Sequence, residues 1–241
     1  MGSPTPHRHG IFITFEGIEG SGKTTQLARL AKRLRESGYR VVETREPGGT
    51  PLAERIRSVM LDLPGTTART GQGTAAEAMS AACEAALVFA ARSQHVTYLI
   101  VPALKQGAIV LCDRFLDSTL AYQGYGRGLN LRTLRHMNRL VTRGLVPDLT
   151  LVFDLPVSQG LARRRAHAGE QNRLDRETRS FHARVRRGFL DLAAKNPRRI
   201  TVIDARRSPD GVEAHVGDRI QTFLQAPLFR NRVRSPWERL T

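Results

Sequence analysis

The chain has 241 residues, 40% hydrophobic and 25% charged, a size and balance that suit one soluble α/β domain with a full core. No run approaches the ~18 apolar residues of a membrane span, and the opening MGSPTPHRHG lacks the apolar centre of a secretory signal, so a cytoplasmic protein with no membrane partner is expected. The net charge of +16 rests on thirty-four arginines and only four lysines; no DNA or RNA recognition motif accompanies them and aromatics are sparse, so no specific nucleic-acid partner is expected.

In chain order, Ile11–Glu16 (IFITFE) is a short apolar run ending in a glycine-rich turn, which predicts a buried parallel strand. Lys23 to Ser37 carries Leu27, Leu30, Ala31 and Leu34 at helical spacing, and Gly38 stops it. Arg40–Thr44 predicts a second strand and Pro51–Leu61 a helix. Pro64–Gly73 reads as a loop, and Ala75–Lys105 as a long alanine-rich helical stretch with a possible break. Strands follow at Ala108–Cys112, Leu149–Asp154 and Ile200–Asp204, with helical patterns at Leu131–Arg143, Gln159–Arg165 and Phe181–Ala194. Alternating strands and helices predict one parallel sheet covered on both faces. Ala166–Leu174 reads as a loop, and the residues after Ala226 as a basic tail carrying four arginines. Cys83 and Cys112 are too few for a disulfide framework or a metal site and read as reduced thiols.

The run Gly17-Ile18-Glu19-Gly20-Ser21-Gly22-Lys23-Thr24, followed by Thr25, has the pattern G-x-x-x-x-G-K-[ST], between a strand and a helix. Its glycines let successive N–H groups turn inward around phosphates, and the helix N-terminus adds positive potential. Lys23 is placed to bridge the β- and γ-phosphates of ATP, and the Thr24 hydroxyl to ligate Mg²⁺. A phosphate loop alone says only nucleoside triphosphate. The GTPase signature N-K-x-D and the transporter signature L-S-G-G-Q are missing from the sequence.

Three further strings lie at or just after predicted strand ends: Thr44-Arg45-Glu46-Pro47-Gly48-Gly49-Thr50, Asp113-Arg114-Phe115, and Ser118-Thr119-Leu120-Ala121-Tyr122-Gln123-Gly124. Ligands of open α/β sheets gather beyond the carboxyl ends of strands, so all three are expected to converge on the phosphate loop. With E-G-x-E-G-S-G-K-T-T they closely resemble the bacterial thymidylate kinases, from about Ile11 to Leu224. That resemblance implies a P-loop kinase fold with a five-stranded parallel sheet, a flexible lid (residues 166–175), a homodimer, and transfer from Mg·ATP to dTMP.

It also implies roles. Arg114 and Arg45 suit the acceptor phosphate, a dianion. Asp113, facing Lys23 and Thr24, resembles the acid that orients Mg²⁺ or its water. Glu19 matches an acidic loop position near the acceptor sugar, Arg92 the arginine that reads a thymine carbonyl, and Tyr122 the ring that packs where a ribose 2′-OH would project. Pro47, Ser118, Thr119 and Gln123 match acceptor-side positions. Nine arginines and three acids fall between Ser158 and Leu190, and Arg163-Arg164-Arg165 with Asn172-Arg173-Leu174-Asp175 resembles an arginine-bearing lid. Because no arginine stands in the phosphate loop, the lid arginines Arg163, Arg164, Arg165 and Arg173 are the expected sources of transition-state charge, Arg165 and Arg173 first among them.

Two departures stand out. Asn172 replaces an aspartate, a change expected to weaken the lid hinge or an ion pair. Four residues before Arg92, where the family carries a thymine-stacking aromatic, stands Val88, with Phe89 one residue on, ~100° around the helix. On an unbroken helix Phe89 turns into the core and thymine rests against Val88; a local change in helix register would instead bring the Phe89 ring onto the base, so both are candidate substrate-binding residues. Two other readings stay open: a kinase for a different nucleotide or deoxynucleoside, and a P-loop protein that binds nucleic acid through its arginines.

Overall fold

Strand β1 (Ile11–Glu16) is buried at every position, as a central strand covered on both faces must be. It pairs in parallel with β3 (Ile109–Asp113) on one side and β4 (Leu149–Asp154) on the other, and β2 (Val41–Arg45) and β5 (Ile200–Asp204) form the edges. The sheet order is β2-β3-β1-β4-β5, all parallel, as expected from the alternating pattern. The computed structural model describes residues 10–61, 78–166 and 172–226. The loop expected at 64–73, most of the lid loop and the basic tail therefore lie outside the described residues.

The pleat divides the core. Ile11, Ile13 and Phe15 pack with Leu27, Leu30 and Leu34 of α1 (Lys23–Glu36) and with Val212, Val216 and Ile220 of α9 (Pro209–Gln225). Phe12, Val110 and Cys112 face the other way, onto Ile100 and Leu104. A third cluster joins Phe89 of α3 (Ala81–His95) to Tyr122 and to Phe181, Val185 and Phe189 of α8 (Arg179–Lys195). Both cysteines are free thiols, Cys83 exposed and Cys112 buried.

Most elements match expectation to within two residues; α2 (Pro51–Leu61) matches at both ends. The stretch expected from Ala75 to Lys105 differs more. Its helix begins at Ala81, where Ser80 caps the Cys83 amide, and 75–77 lie outside the described residues. Its break is a π-helical turn, Val96–Ile100, leading into α4 (Val101–Lys105) just before Pro102, which has no amide to continue the ladder. Two helical segments lie outside the expected set. One is α5 (Leu116–Thr119) running into a π-helical stretch, Leu120–Gly126; the other is α9, whose signals are the cap Ser208 before Pro209 and the helical spacing of Val212, Val216, Ile220 and Phe223. Helices α6 (Leu131–Thr142) and α7 (Val157–Ala166) complete the set. Among the described residues no helix is long and apolar enough to cross a membrane.

Candidate active site

The phosphate loop leaves β1 with three glycines at positive φ: Gly17 (138°), Gly20 (71°) and Gly22 (87°). A Cβ on Gly20 would lie 2.1 Å from the Gly160 carbonyl oxygen, so this turn requires glycine for both conformation and space. Inside the loop the Lys23 ammonium donates to the Ile18 carbonyl at 2.8 Å and the Ser21 hydroxyl at 3.2 Å. Burial, and then the nearby Arg114 guanidinium, push Lys23 down to about 8. Its acceptors are neutral, so a polyanion in the loop is the partner this charge lacks. Thr24 stands at the loop's end, its hydroxyl donating to Asp113 Oδ2 at 2.6 Å, while Asp113 Oδ1 is buried with no hydrogen-bond partner. Thr25 is exposed and lines neither cavity described below.

β3 ends beside the loop and turns through Arg114 at φ 73°, a left-handed conformation that a non-glycine residue holds only when its surroundings over-determine it. Arg114 Nη1 donates to the Gly17 carbonyl at 2.9 Å and the Ser118 hydroxyl at 3.2 Å, and Nη2 to Glu19 Oε1 at 3.1 Å. The Tyr122 hydroxyl donates to the same Glu19 oxygen at 2.6 Å, and the Arg114 guanidinium lies 5.1 Å over the Tyr122 ring. Burial by itself raises the Glu19 carboxyl; Arg114, with His182, Lys23 and Tyr122, more than reverses this and holds it well below the usual carboxylate range. Glu19 is thus an organiser of Arg114 and Tyr122 as well as part of the cleft wall.

Two adjoining cavities open here. The polar one is lined by Glu19, Gly20, Lys23, Thr24, Asp113 and Arg114 on the sheet side, and by Arg57 and Arg164 opposite. The second is walled by Pro47, Met60, Val88 and Leu174, with Arg92, Ser118, Thr119, Tyr122 and Gln123 supplying polar groups. Glu46, Pro47, Met60, Arg114 and Leu174 belong to both, so a phosphate loop and a side-chain-lined pocket meet across Arg114.

Arg92 is 1% exposed and held on three sides: Nε donates to Glu46 Oε2 at 2.7 Å, Nη2 to Thr119 at 2.9 Å and Nη1 to Asn138 at 3.0 Å. Glu46 also faces His95 Nδ1 at 3.0 Å, and His95 Nε2 lies 2.7 Å from the Thr44 hydroxyl. This explains Gly49, whose Cβ would fall 2.6 Å from both His95 and Thr44 Oγ1 at a φ of 85°. The helix phase decides between Val88 and Phe89. Val88 lines the pocket, while Phe89, 3% exposed, points into the core cluster.

Several expected residues lie elsewhere. Arg45 is exposed and paired with Glu54 at 3.0 Å; the arginine facing the cleft here is Arg57 of α2, which donates to the Pro47 carbonyl at 2.9 Å. Burial, then Arg45, push Arg57 down to about 10. Its signal was the spacing Ala53, Arg57, Met60, one inward helical face. In the lid, Arg165 is exposed, and Arg173 is ion-paired to Glu84 at 2.7 Å with Nε donating to the Met60 carbonyl; neither lines the cavities. Of the expected lid arginines it is Arg164 that the cleft meets, fixed by two hydrogen bonds to Asp175. Asn172 does not leave a gap: its Oδ1 accepts the Leu174 and Asp175 amides at 2.9 and 3.2 Å, the turn an aspartate would also close. Glu16 and Asp117, both 0% exposed beside Arg114, lie outside the expected site residues, although an acid ending the apolar run IFITFE is itself a signal.

A family model described as thymidylate kinase matches residues 15–216 of this chain. The chain is 50% identical over 210 residues to a thymidylate kinase of Geobacter sulfurreducens, covering 85% of this chain and 92% of that protein. It is 53% identical over 201 residues to one of Thermomicrobium roseum, covering 83% and 90%. A crystal structure of thymidylate kinase from Ehrlichia chaffeensis superposes with a TM-score of 0.66 at 37% identity, covering 88% of this chain and 99% of that one. With the parallel sheet, the phosphate loop and the pocket beyond it, these matches establish that the chain belongs to the thymidylate kinase family.

Proposed function

We propose that this protein transfers the γ-phosphoryl group of ATP to dTMP, giving dTDP and ADP. The observation that carries the reading is the junction of the two cavities at Arg114: a cationic phosphate loop on one side, a half-apolar pocket closed by Arg92 on the other. In it, Lys23 and the loop amides bind the donor phosphates, Arg114 and Arg57 the acceptor phosphate, and Arg164 the charge that develops between them. Arg92 donates to the base, which rests on Val88, with Pro47, Ser118, Thr119, Tyr122 and Gln123 shaping the pocket. Catalysis of this kind is positioning and electrostatic stabilisation and needs no covalent intermediate.

The residues at the loop's end also fit Mg²⁺. The unpartnered Asp113 Oδ1 and the Thr24 hydroxyl are hard oxygen donors side by side, and Mg²⁺ is commonly held by one or two protein oxygens plus phosphates and water. Bound there, the ion would neutralise phosphate charge. A cytoplasmic homodimer belongs to the same reading; the exposed Leu52 and Val59, two turns apart on α2, support a partner surface. The test is an ADP-release assay across the common nucleoside monophosphates, with and without Mg²⁺. The expected result is dTMP as best acceptor and no turnover without Mg²⁺. A dTMP rate no better than that with AMP, GMP or CMP overturns the reading.

A further inference from the structure

The carboxylate of Glu16, at the end of β1, is fully buried and grips the far side of the site twice. One oxygen accepts the Phe115 amide at 2.8 Å and the other the Ser118 hydroxyl at 2.5 Å. The Ser118 oxygen in turn accepts from Arg114 Nη1, which also donates to the carbonyl of Gly17, the residue after Glu16. The Arg114 amide is bound to the Phe15 carbonyl at 2.9 Å. Phe15 and Glu16 thus pin the peptides on both sides of Arg114, the residue at positive φ, and Glu16 reaches its guanidinium through Ser118. A single side chain couples the strand that launches the phosphate loop to the turn that carries the acceptor-side arginine.

We infer that Glu16 is a positioning residue: as a carboxylate it fixes Arg114 beside the phosphate loop, and taking up a proton loosens that hold. The inference rests on the reading that Arg114 binds the acceptor phosphate. The chemistry is one of lone pairs. An anionic Glu16 accepts both donors. Once protonated it loses the charge that strengthens both bonds, and where its new hydrogen lies on the Ser118 side the serine accepts from Glu16 and Arg114 together and its own hydrogen loses its acceptor. The charged neighbours are Asp117 of α5, Arg114 of the turn, Lys23 of α1, and Arg199 before β5, which holds Asp117 through bonds of 2.7 and 2.8 Å. Burial and then Asp117 push Glu16 up to about 7, against the pull of Ser118, Arg114 and the Phe115 amide. The hold is therefore complete above that pH and is lost as pH falls through it.

The experiment compares Glu16→Gln with the parent at pH 6 and pH 8, using kcat/KM for dTMP and the Kd for ATP. Protonation of dTMP affects both proteins alike and cancels in their ratio; Lys23, whose charge Glu16 supports, is followed separately through the ATP Kd, which reports on the phosphate loop. At pH 6 the two should agree within about twofold; at pH 8 the parent should lead by about tenfold, mostly in dTMP KM, with ATP Kd unchanged. A parent-to-variant ratio that is the same at both pH values overturns the inference and leaves Glu16 a packing residue. If Glu16→Gln does not fold, Ser118→Ala cuts the same link from the other side: its ratio must show the same trend, and a flat one overturns the inference equally. Failure of the underlying reading is visible separately, as an Arg114→Ala variant whose dTMP KM is unchanged.

Discussion

Truncating Phe89 separates two jobs that an aromatic ring beside a base-reading arginine can do. The ring is 3% exposed and packs among Ile18, Leu120, Tyr122, Leu134 and Phe181, outside the wall of the pocket. Phe89→Ala should therefore cost about 3–5 kcal/mol of stability, the range for a buried phenylalanine. At ~2–4 °C per kcal/mol for a chain of this size, the melting temperature falls by roughly 6–20 °C. Binding should change much less. The Arg92 guanidinium lies 5.8 Å from the Phe89 ring, but it keeps Phe115 at 4.8 Å and its bonds to Glu46, Thr119 and Asn138. A lost cation–π contact of ~0.5–1 kcal/mol limits the rise in dTMP KM to about two- to fivefold. The assay is a thermal melt and a dTMP titration on one preparation. An unchanged melting temperature with a KM raised more than tenfold would refute the helix phase argued here and make Phe89 the ring that stacks on the base.

Two other outcomes follow from the cleft. Lys23→Ala should lower kcat/KM by ~10²-fold or more, the scale of deleting a preorganised charge, while staying folded, because its ammonium touches only the loop; near-parent activity in the purified variant contradicts its role. In the lid, Arg164→Ala should lower kcat while barely moving the nucleotide Kd, and Arg163→Ala, Arg165→Ala and Arg173→Ala should do so less, with Asp175→Asn as the control for the lost ion pair; kcat within about twofold in all four arginine variants ends the idea that the lid supplies transition-state charge.

What the sequence determined by itself was local. The phosphate loop needs a strand, a run of glycines and a helix start within fourteen residues, so chain order alone builds it. Alternation of apolar runs with helical spacing decided a parallel sheet, because each element's period is set by its own backbone. Even Val88 against Phe89 followed from helix phase, since residues 88 and 92 share a face. The partners of the charges could not be read this way. Glu16 meets Phe115 and Ser118 across 99 and 102 residues, through the register that sets Phe15 opposite Asp113. Arginine is long and suits many carboxylates, and a chain with thirty-four of them offers many equally good local pairings. Which one reaches the cleft is decided by the packing of the helices: α2 turns Arg57 inward while Arg45 pairs outward with Glu54, and Arg173 crosses to Glu84 on α3 while Arg164 takes the cleft. These choices are geometric, made by elements distant in sequence, and they exist only once the sheet and its helices are assembled.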